Sequence, residues 1–274
     1  MQEPPKLTDR RTLGLNRARA RRIGLAPFLH AEAIAEIQER LALVNRRFTK
    51  PALVTAFPEI WADSFPGTRI VPDDDVLALE PQAHDLVIHA MGLHWANDPV
   101  GQIIQCARAL QPDGLFLAAL PGGRSLQELR ASLAEAESRL TGGLSPRVLP
   151  MAEIRDLGGL LGRAGLALPV ADSLMLNASY RDLTHLAHDL RAMGEGNALA
   201  ARSRRPARRT LFALAARIYA DSYPAGDGRI SASYELIFLT GWTPHPSQQK
   251  PLRPGSALTR LADALKADPS EPGN

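Results

Sequence analysis

The chain holds one cysteine in 274 residues, Cys106. A lone thiol excludes an intramolecular disulfide and fits a reducing compartment. Long apolar runs are also missing. Charge, proline or glycine interrupts every candidate before it is long enough to span a bilayer. The first 25 residues are basic but lack the continuous apolar stretch of a secretory signal. These absences predict a soluble, intracellular protein. Acidic residues are scarce in two places: residues 1–50 carry eleven Lys/Arg against five Asp/Glu, and residues 199–220 hold six arginines and no acid. Basic residues are scarce in another, with only Arg69 and Arg108 against nine acids over residues 51–123. Such blocks suit an acidic partner or nucleic acid. A solvated arginine-rich surface is the plainer reading, because no RRM, KH, zinc-finger or helix-turn-helix signature accompanies them.

What is present is ordinary globular material, 45% hydrophobic with a net charge of +3. The length predicts one α/β domain with additions, or two small domains, able to bury roughly three quarters of the unfolded surface. Residues 28–48 predict an amphipathic helix, with Ile34, Ile37, Leu41, Val44 and Phe48 at three- and four-residue steps. A strand-helix rhythm follows. Strands are predicted at "ALVTAF" (52–57), "TRIV" (68–71), "DLVIHAM" (85–91) and "GLFLAAL" (114–120), and helices at "PEIWADSF" (58–65) and 99–110. Short apolar runs alternating with helices predict a mostly parallel sheet covered on both faces. Ser125 and Glu128 have capping-box spacing and predict the start of the next helix. Another helix is predicted over 150–164, then a strand over 166–178. Two helices near 180–193 and 207–221 follow, and a last strand (232–242) is predicted antiparallel at the far end of the sheet. The tail from 243 is extended and proline-rich.

The segment "HDLVIHAMGLHWANDPVGQIIQCARALQPDGLFLAALPGG" (84–123) resembles the second half of a class I S-adenosylmethionine-dependent methyltransferase. Four further segments sharpen the likeness: "GGRSLQELRASLAEAE" (122–137), "GGLSPRVLPMAEIRDLGGLLGRAG" (142–165), "DLRAMGEGNAL" (189–199) and "GWTPHPSQQKPLRPGSA" (241–257). With the N-terminal "LTDRRTLGLNRARA" they resemble one branch. It contains the methyltransferase-like assembly factor of respiratory complex I, with malonyl-carrier-protein methyltransferases of biotin synthesis as more distant relatives. The resemblance implies a Rossmann-like α/β fold with a shortened first half. A helical N-terminal extension (1–48), an α/β domain (49–242) and a C-terminal tail (243–274) complete it, with a helical lid inserted near 178–223. It also implies a protein partner, a respiratory complex I subunit, and a cytoplasmic location, peripheral at the inner membrane through that partner. Some members of the branch are described as arginine hydroxylases. Hydroxylation needs an oxidant, and nothing in the sequence visibly binds iron or flavin, so the partner class carries across more readily than the chemistry.

The likeness fails over residues 49–72, where the family's first strand ends in an acidic residue and a G-x-G turn. Glycine lets backbone approach the ligand there, and the helix behind directs N–H groups at it. Here Thr55-Ala56-Phe57-Pro58 stands instead. Side chains fill the approach and Pro58 removes a donor; Phe57 is placed to plug the methionine end. Eighteen positions from Thr55 to Asp73 leave room for one helix and one strand, not two such units. The expected sheet therefore has six strands, lacking the unit that supplies the ribose-binding acid. S-adenosylmethionine is expected to bind weakly or not at all.

Candidate ligand contacts remain. Asp73 and Asp74, with Asp75, match the segment whose acid meets the adenine in the family, or else form an acidic turn. His94 and Trp95 follow the fourth strand at the carboxyl edge, where open α/β sheets bind ligands; packing is the alternative. His89 is expected to be a buried, hydrogen-bonded histidine, and Cys106 a small core residue. His185 and His188 share a helix face, but no third ligand has suitable spacing, and His30 and Glu32 diverge on a helix. No metal site is predicted. In the tail, His245, Gln248, Gln249 and Arg253 could recognise a peptide or carboxylate, unless the tail is a strap closing the sheet edge. No catalytic residue is named. An active methyltransferase with a rebuilt cofactor pocket, held by Asp73, His94 and Trp95, is the alternative to an accessory protein.

Overall fold

The computed structural model describes residues 6–248. It divides into a unit that runs through Pro244 and a second that begins at His245. Helix α1 (Arg10–Ile23) starts at Asp9, whose carboxylate accepts from Thr12 N, and stops at Gly24. Helix α2 (Phe28–Leu43) turns Leu29, Ala33 and Ile37 into the core. It ends short of the predicted residue 48, and Val44 and Phe48 pack on the same core from the segment beyond it.

Strand β1 (Pro51–Thr55) leads into the short helix α3 (Pro58–Trp61), with Pro58 in its first turn. Then come β2 (Arg69–Val71) and β3 (His84–Ala90), every residue of β3 being buried. Helix α4 (Pro99–Ala109) opens with Asp98 accepting from Gly101 N and Pro99 in the first turn, the position where a missing N–H costs nothing. Strand β4 (Leu110–Pro121), α5 (Gln127–Thr141), α6 (Ile154–Arg163) and β5 (Ala167–Tyr180) follow. Helices α7 (Leu183–Ala192) and α8 (Arg209–Ser222) are inserted before the last strand, β6 (Ile230–Trp242).

The six strands run in the order β2-β1-β3-β4-β6-β5. β1 is parallel to β2 and β3, β3 is parallel to β4, and β6 is antiparallel to both its neighbours. One apolar layer gathers α2, α5, α7 and α8 on one face of the sheet, and a second gathers α4 and α6 on the other. Asp85 ties the starts of β1 and β3 together by accepting from Thr49 N (2.6 Å) and Lys50 N (2.9 Å). Burial raises the pKa of that carboxyl, but the amide donors outweigh it and hold it below the usual range.

Three expectations are corrected. β6 is not at the far end of the sheet; it lies between β4 and β5, and β5 forms the edge. The shortening also falls elsewhere than expected: β2 pairs directly with β1, so the strand that leads into Asp73 lies next to β1 and the sheet stops there. Finally, Ser125 and Glu128 do not cap α5. Leu126 occupies the cap position in a left-handed conformation (φ 55°, ψ 31°) without a side-chain cap. Ser125 Oγ instead donates to Glu235 O and accepts from Glu235 N, and Glu128 accepts from Ser233 N and Oγ. These side chains complete hydrogen bonds for β6 beyond the point where β4 ends.

Candidate functional site

The carboxyl ends of β1, β2 and β3 meet beneath a strap made by residues 7–23. The strap is anchored along its length. Asp9 N donates to Ala198 O and Ala200 N to Leu7 O, Thr8 N donates to Asn97 Oδ1, and Asn16 donates to Gly196 O. Arg202 and Arg204 converge on the Asp9 carboxylate; hydrogen bonds from Thr12 and Arg202 hold that carboxyl far below the ordinary range.

Beyond β1, Thr55 Oγ1 accepts from Phe57 N (3.1 Å) and fixes the turn. The Phe57 ring is buried edge-on against His30, with centroids 5.4 Å apart, and the Arg21 guanidinium lies 5.1 Å from its centroid. On its other side is Gly194, at φ +80°, where a Cβ would come within 2.9 Å of Phe57 Cζ. Glycine is therefore required opposite the ring, and the space between α2 and residue 194 is filled.

Beyond β2, Asp73 is buried to 3% exposure. Both its carboxylate oxygens are taken by Arg17, at 2.8 Å and 2.7 Å, a bidentate geometry that matches the guanidinium fork. Arg10 donates to Asp73 O and sits 3.6 Å from an Asp74 oxygen and 3.9 Å from an Asp75 oxygen. Asp74 and Asp75 themselves are exposed. A Cβ at Gly92 would lie 2.7 Å from Asp73 Oδ2, so the ion pair also depends on that glycine.

Beyond β3, a 3-10 turn (Leu93–Trp95) buries both His94 and Trp95. They converge on one oxygen of Glu195: Trp95 Nε1 donates at 2.8 Å and His94 Nε2 lies at 3.1 Å. Burial works to raise the Glu195 pKa, but His94, Arg17 and the Trp95 hydrogen bond prevail and hold it below the usual carboxylate range. His94 Nδ1 is buried with no hydrogen-bond partner among the described residues. His89 is wholly buried and, as expected, hydrogen-bonded: its Nε2 donates to Gln102 Oε1 (3.0 Å), while Gln102 Nε2 donates to Asp74 O.

Beside Trp95 and Glu195 a cavity of about 310 Å³ remains open, at the lower end of the size range of small-molecule sites. Leu126 at the cap of α5, Leu129 and Leu133 within it, Leu190 and Arg191 of α7, and Phe212 of α8 form much of its wall. The two inserted helices thus stand over the carboxyl edge of the sheet. Arg147 also lines the cavity and is committed to Glu137 at 2.6 Å; that guanidinium is the main reason the Glu137 carboxyl falls to about 2.

The structure gathers Asp73, His94 and Trp95 into one neighbourhood, with Asp74 at its rim. His30 Nδ1 accepts from Trp61 Nε1 (2.9 Å), whereas Glu32 is exposed on another face of α2. His185 and His188 are exposed on α7, the first lying edge-on to Tyr180. Among the described residues no cluster of three His, Cys, Asp or Glu is placed to hold a metal. Cys106 is fully buried, and burial pushes its thiol pKa up. In the second unit His245 is exposed, with its N–H donating to Gln248 Oε1 and its ring 2.6 Å from Ser247 Oγ. Gln249 and Arg253 lie outside the described residues.

Sequence reasoning missed the two side chains that organise this site, Arg17 and Glu195. Both sit in segments that carry the family likeness, "LTDRRTLGLNRARA" and "DLRAMGEGNAL". That likeness outside the sheet was the available signal.

No protein-family model matches the chain. Arginine-hydroxylase NDUFAF5, mitochondrial, of Danio rerio is 34% identical over 234 residues, which is 85% of this chain and 73% of that protein. The protein of the same name from Homo sapiens is 36% identical over 201 residues, and the chain spans 58% of its length. A malonyl-acyl-carrier-protein O-methyltransferase of Gallionella capsiferriformans is 27% identical over 209 residues, covering 75% of this chain and 68% of that one. Among solved structures, the YcgJ protein of Bacillus subtilis superposes with a TM-score of 0.50 at 12% identity, over 79% of this chain and all of that one. The fold is that of the Rossmann-like class I methyltransferases.

Proposed function

Because the chain belongs to the family of arginine-hydroxylase NDUFAF5, we propose that it is a methyltransferase-like accessory protein that recognises an arginine side chain on a protein partner. Its S-adenosylmethionine site is filled by its own residues. The observation that carries this reading is the Arg17–Asp73 pair: the buried acid beyond β2 already spends both oxygens on an internal cation. Phe57 and the Gly194 backbone take up the space beside it. The residues present do not fit the nucleoside in its ordinary pose, so no chemical step is assigned to it.

The open cavity supplies the recognition. Its leucine walls suit the methylenes of an arginine, and the Glu195 carboxylate, held ionised, suits the guanidinium. By the family resemblance the partner is a respiratory complex I subunit. No helix among the described residues is long and apolar enough to cross a membrane. Calorimetry with millimolar S-adenosylmethionine is expected to give no binding heat, and a micromolar dissociation constant would overturn the reading. The same cavity, with the unpartnered His94 Nδ1 close to it, favours one second reading: a working methyltransferase with a rebuilt pocket. In that case Trp95→Ala abolishes labelled methyl transfer that the wild type performs.

A further inference from the structure

β5 is fourteen residues long and stands at the edge of the sheet, with β6 as its one strand partner among the described residues. The direction of its free backbone groups follows from its partner. Met175, Asn177 and Ser179 lie opposite Glu235, Ser233 and Ser231 of β6. Each of those three sends its backbone the other way. Glu235 N donates to Ser125 Oγ and its carbonyl accepts from Gly122 N. Ser233 N donates to Glu128 and its carbonyl accepts from Leu126 N. Ser231 N donates to Tyr223 O and its carbonyl accepts from Tyr219 Oη.

In an antiparallel pair, opposite residues either exchange both hydrogen bonds or direct both away. Met175, Asn177 and Ser179 therefore aim their N–H and C=O groups out of the sheet, and Ser173 does so by alternation. Ser179 shows this directly, since its carbonyl accepts from Arg229 Nη2 at 2.6 Å. Arg229 blunts that end of the strand. At the other end Asp172 is held by Arg40, and Pro169 falls where the ladder shifts register.

Between these guarded ends, Ser173–Ser179 carries no charged residue. The outward groups of Ser173, Met175 and Asn177 have no partner among the described residues. Natural sheets protect long edges with charge, proline, bulges or a covering element, and among the described residues this stretch has none of them.

We infer that the Ser173–Asn177 edge of β5 pairs antiparallel with the same edge of a second copy of this chain, forming a two-fold dimer with one continuous sheet. The occupant follows from the pattern. A two-fold axis at Met175 sets Met175 opposite itself and Ser173 opposite Asn177, so that every outward group meets an outward group. About six hydrogen bonds form in this register. The absence of charge over the whole stretch means that no like charges are brought together at the axis. An isologous contact of this kind also closes on itself, so both edges are used and no fibre grows.

Analytical ultracentrifugation of the full chain tests the pairing. The wild type is expected to sediment with the mass of two chains at micromolar concentration. Met175→Pro removes an outward N–H that β6 does not use, a position where an edge strand tolerates proline. It is expected to keep the wild-type circular dichroism spectrum and to raise the dimer dissociation constant at least a hundredfold. Leu176→Pro, whose N–H serves the β6 ladder, is expected to unfold. Should Met175→Pro also fail to fold, Met175→Lys keeps the N–H and brings two ammonium groups to the axis, and it is expected to be monomeric. A wild type that stays monomeric at 100-micromolar-scale loading, or a folded Met175 variant that dimerises as tightly as the wild type, overturns the inference.

Discussion

Arg17 and Asp73, 56 positions apart, meet in a buried two-point ion pair between the N-terminal strap and the strand next to β1. Neither group is stable there alone. Arg17→Met leaves the buried carboxylate with only its longer contact to Arg10 (3.7 Å) and is expected to cost about 3 kcal/mol in urea unfolding. Pairing it with Asp73→Leu should recover most of that loss, because both charges then leave the interior together. A single variant as stable as the wild type would show that the pair does not hold the strap.

Glu195 is expected to discriminate between arginine and its neutral analogue. Glu195→Gln keeps an oxygen to accept from Trp95 Nε1 but removes the charge. Affinity for an arginine-containing peptide should fall by about tenfold to a hundredfold, the worth of a hydrogen bond to a charged group. Affinity for the citrulline version of the peptide should change little. Titration calorimetry with the two peptides measures both.

The stability of the protein is expected to depend on pH through His30. Burial pushes its pKa down to about 4 from the ordinary 6.5, and the neutral ring is needed to accept from Trp61 Nε1. The unfolded chain therefore binds the proton first. The stabilisation is complete above pH 6.5 and is lost as pH falls from there toward 4, by about 3 kcal/mol at most for such a shift. His30→Gln, which retains an acceptor, should flatten the denaturation midpoint across that window. Asp85, Glu195 and Glu137, whose pKa values lie below the usual range, act lower on the scale, as their carboxylates become protonated.

Cys106 is expected to be inert in the native protein. It is fully buried and its thiol pKa is raised by burial, while thiol reagents attack the exposed thiolate. Labelling with a chromogenic disulfide should be complete in urea and negligible without it. Fast labelling of the folded chain would contradict the packing of α4.

Much of the sheet was legible because its signals are local. β3 is a short buried strand around the apolar run Leu86–Ile88, and α4 announces itself with Asp98 and Pro99. The strap was not legible as a site. The arginines of α1 form a near-continuous series; Arg17 falls on the buried stripe with Leu13 and Ala20 whereas Arg19 is exposed, but the helix period does not say which acid a buried arginine meets. Glu195 sits between Gly194 and Gly196 and reads as a turn; only the distant His94 and Trp95 give it a role. Ser125 and Glu128 were misread because capping-box spacing is equally available to side chains that hydrogen-bond a neighbouring strand. The place of β6 escaped for another reason: periodicity identifies a strand, whereas strand order depends on which backbone edges are still free when it arrives.

That order has a consequence for synthesis. β5 has no seat until β6 exists, because among the described residues β6 supplies its only ladder and is the strand that joins it to β4. On the ribosome, β5 emerges about fifty residues ahead of β6, and the aliphatic segment has to wait. Long-range pairing of this kind is slow and exposes sticky surface in the interval. A nascent chain stalled before Ile230 is therefore a natural client for a chaperone, and release of the C-terminal strand is the event that closes the domain.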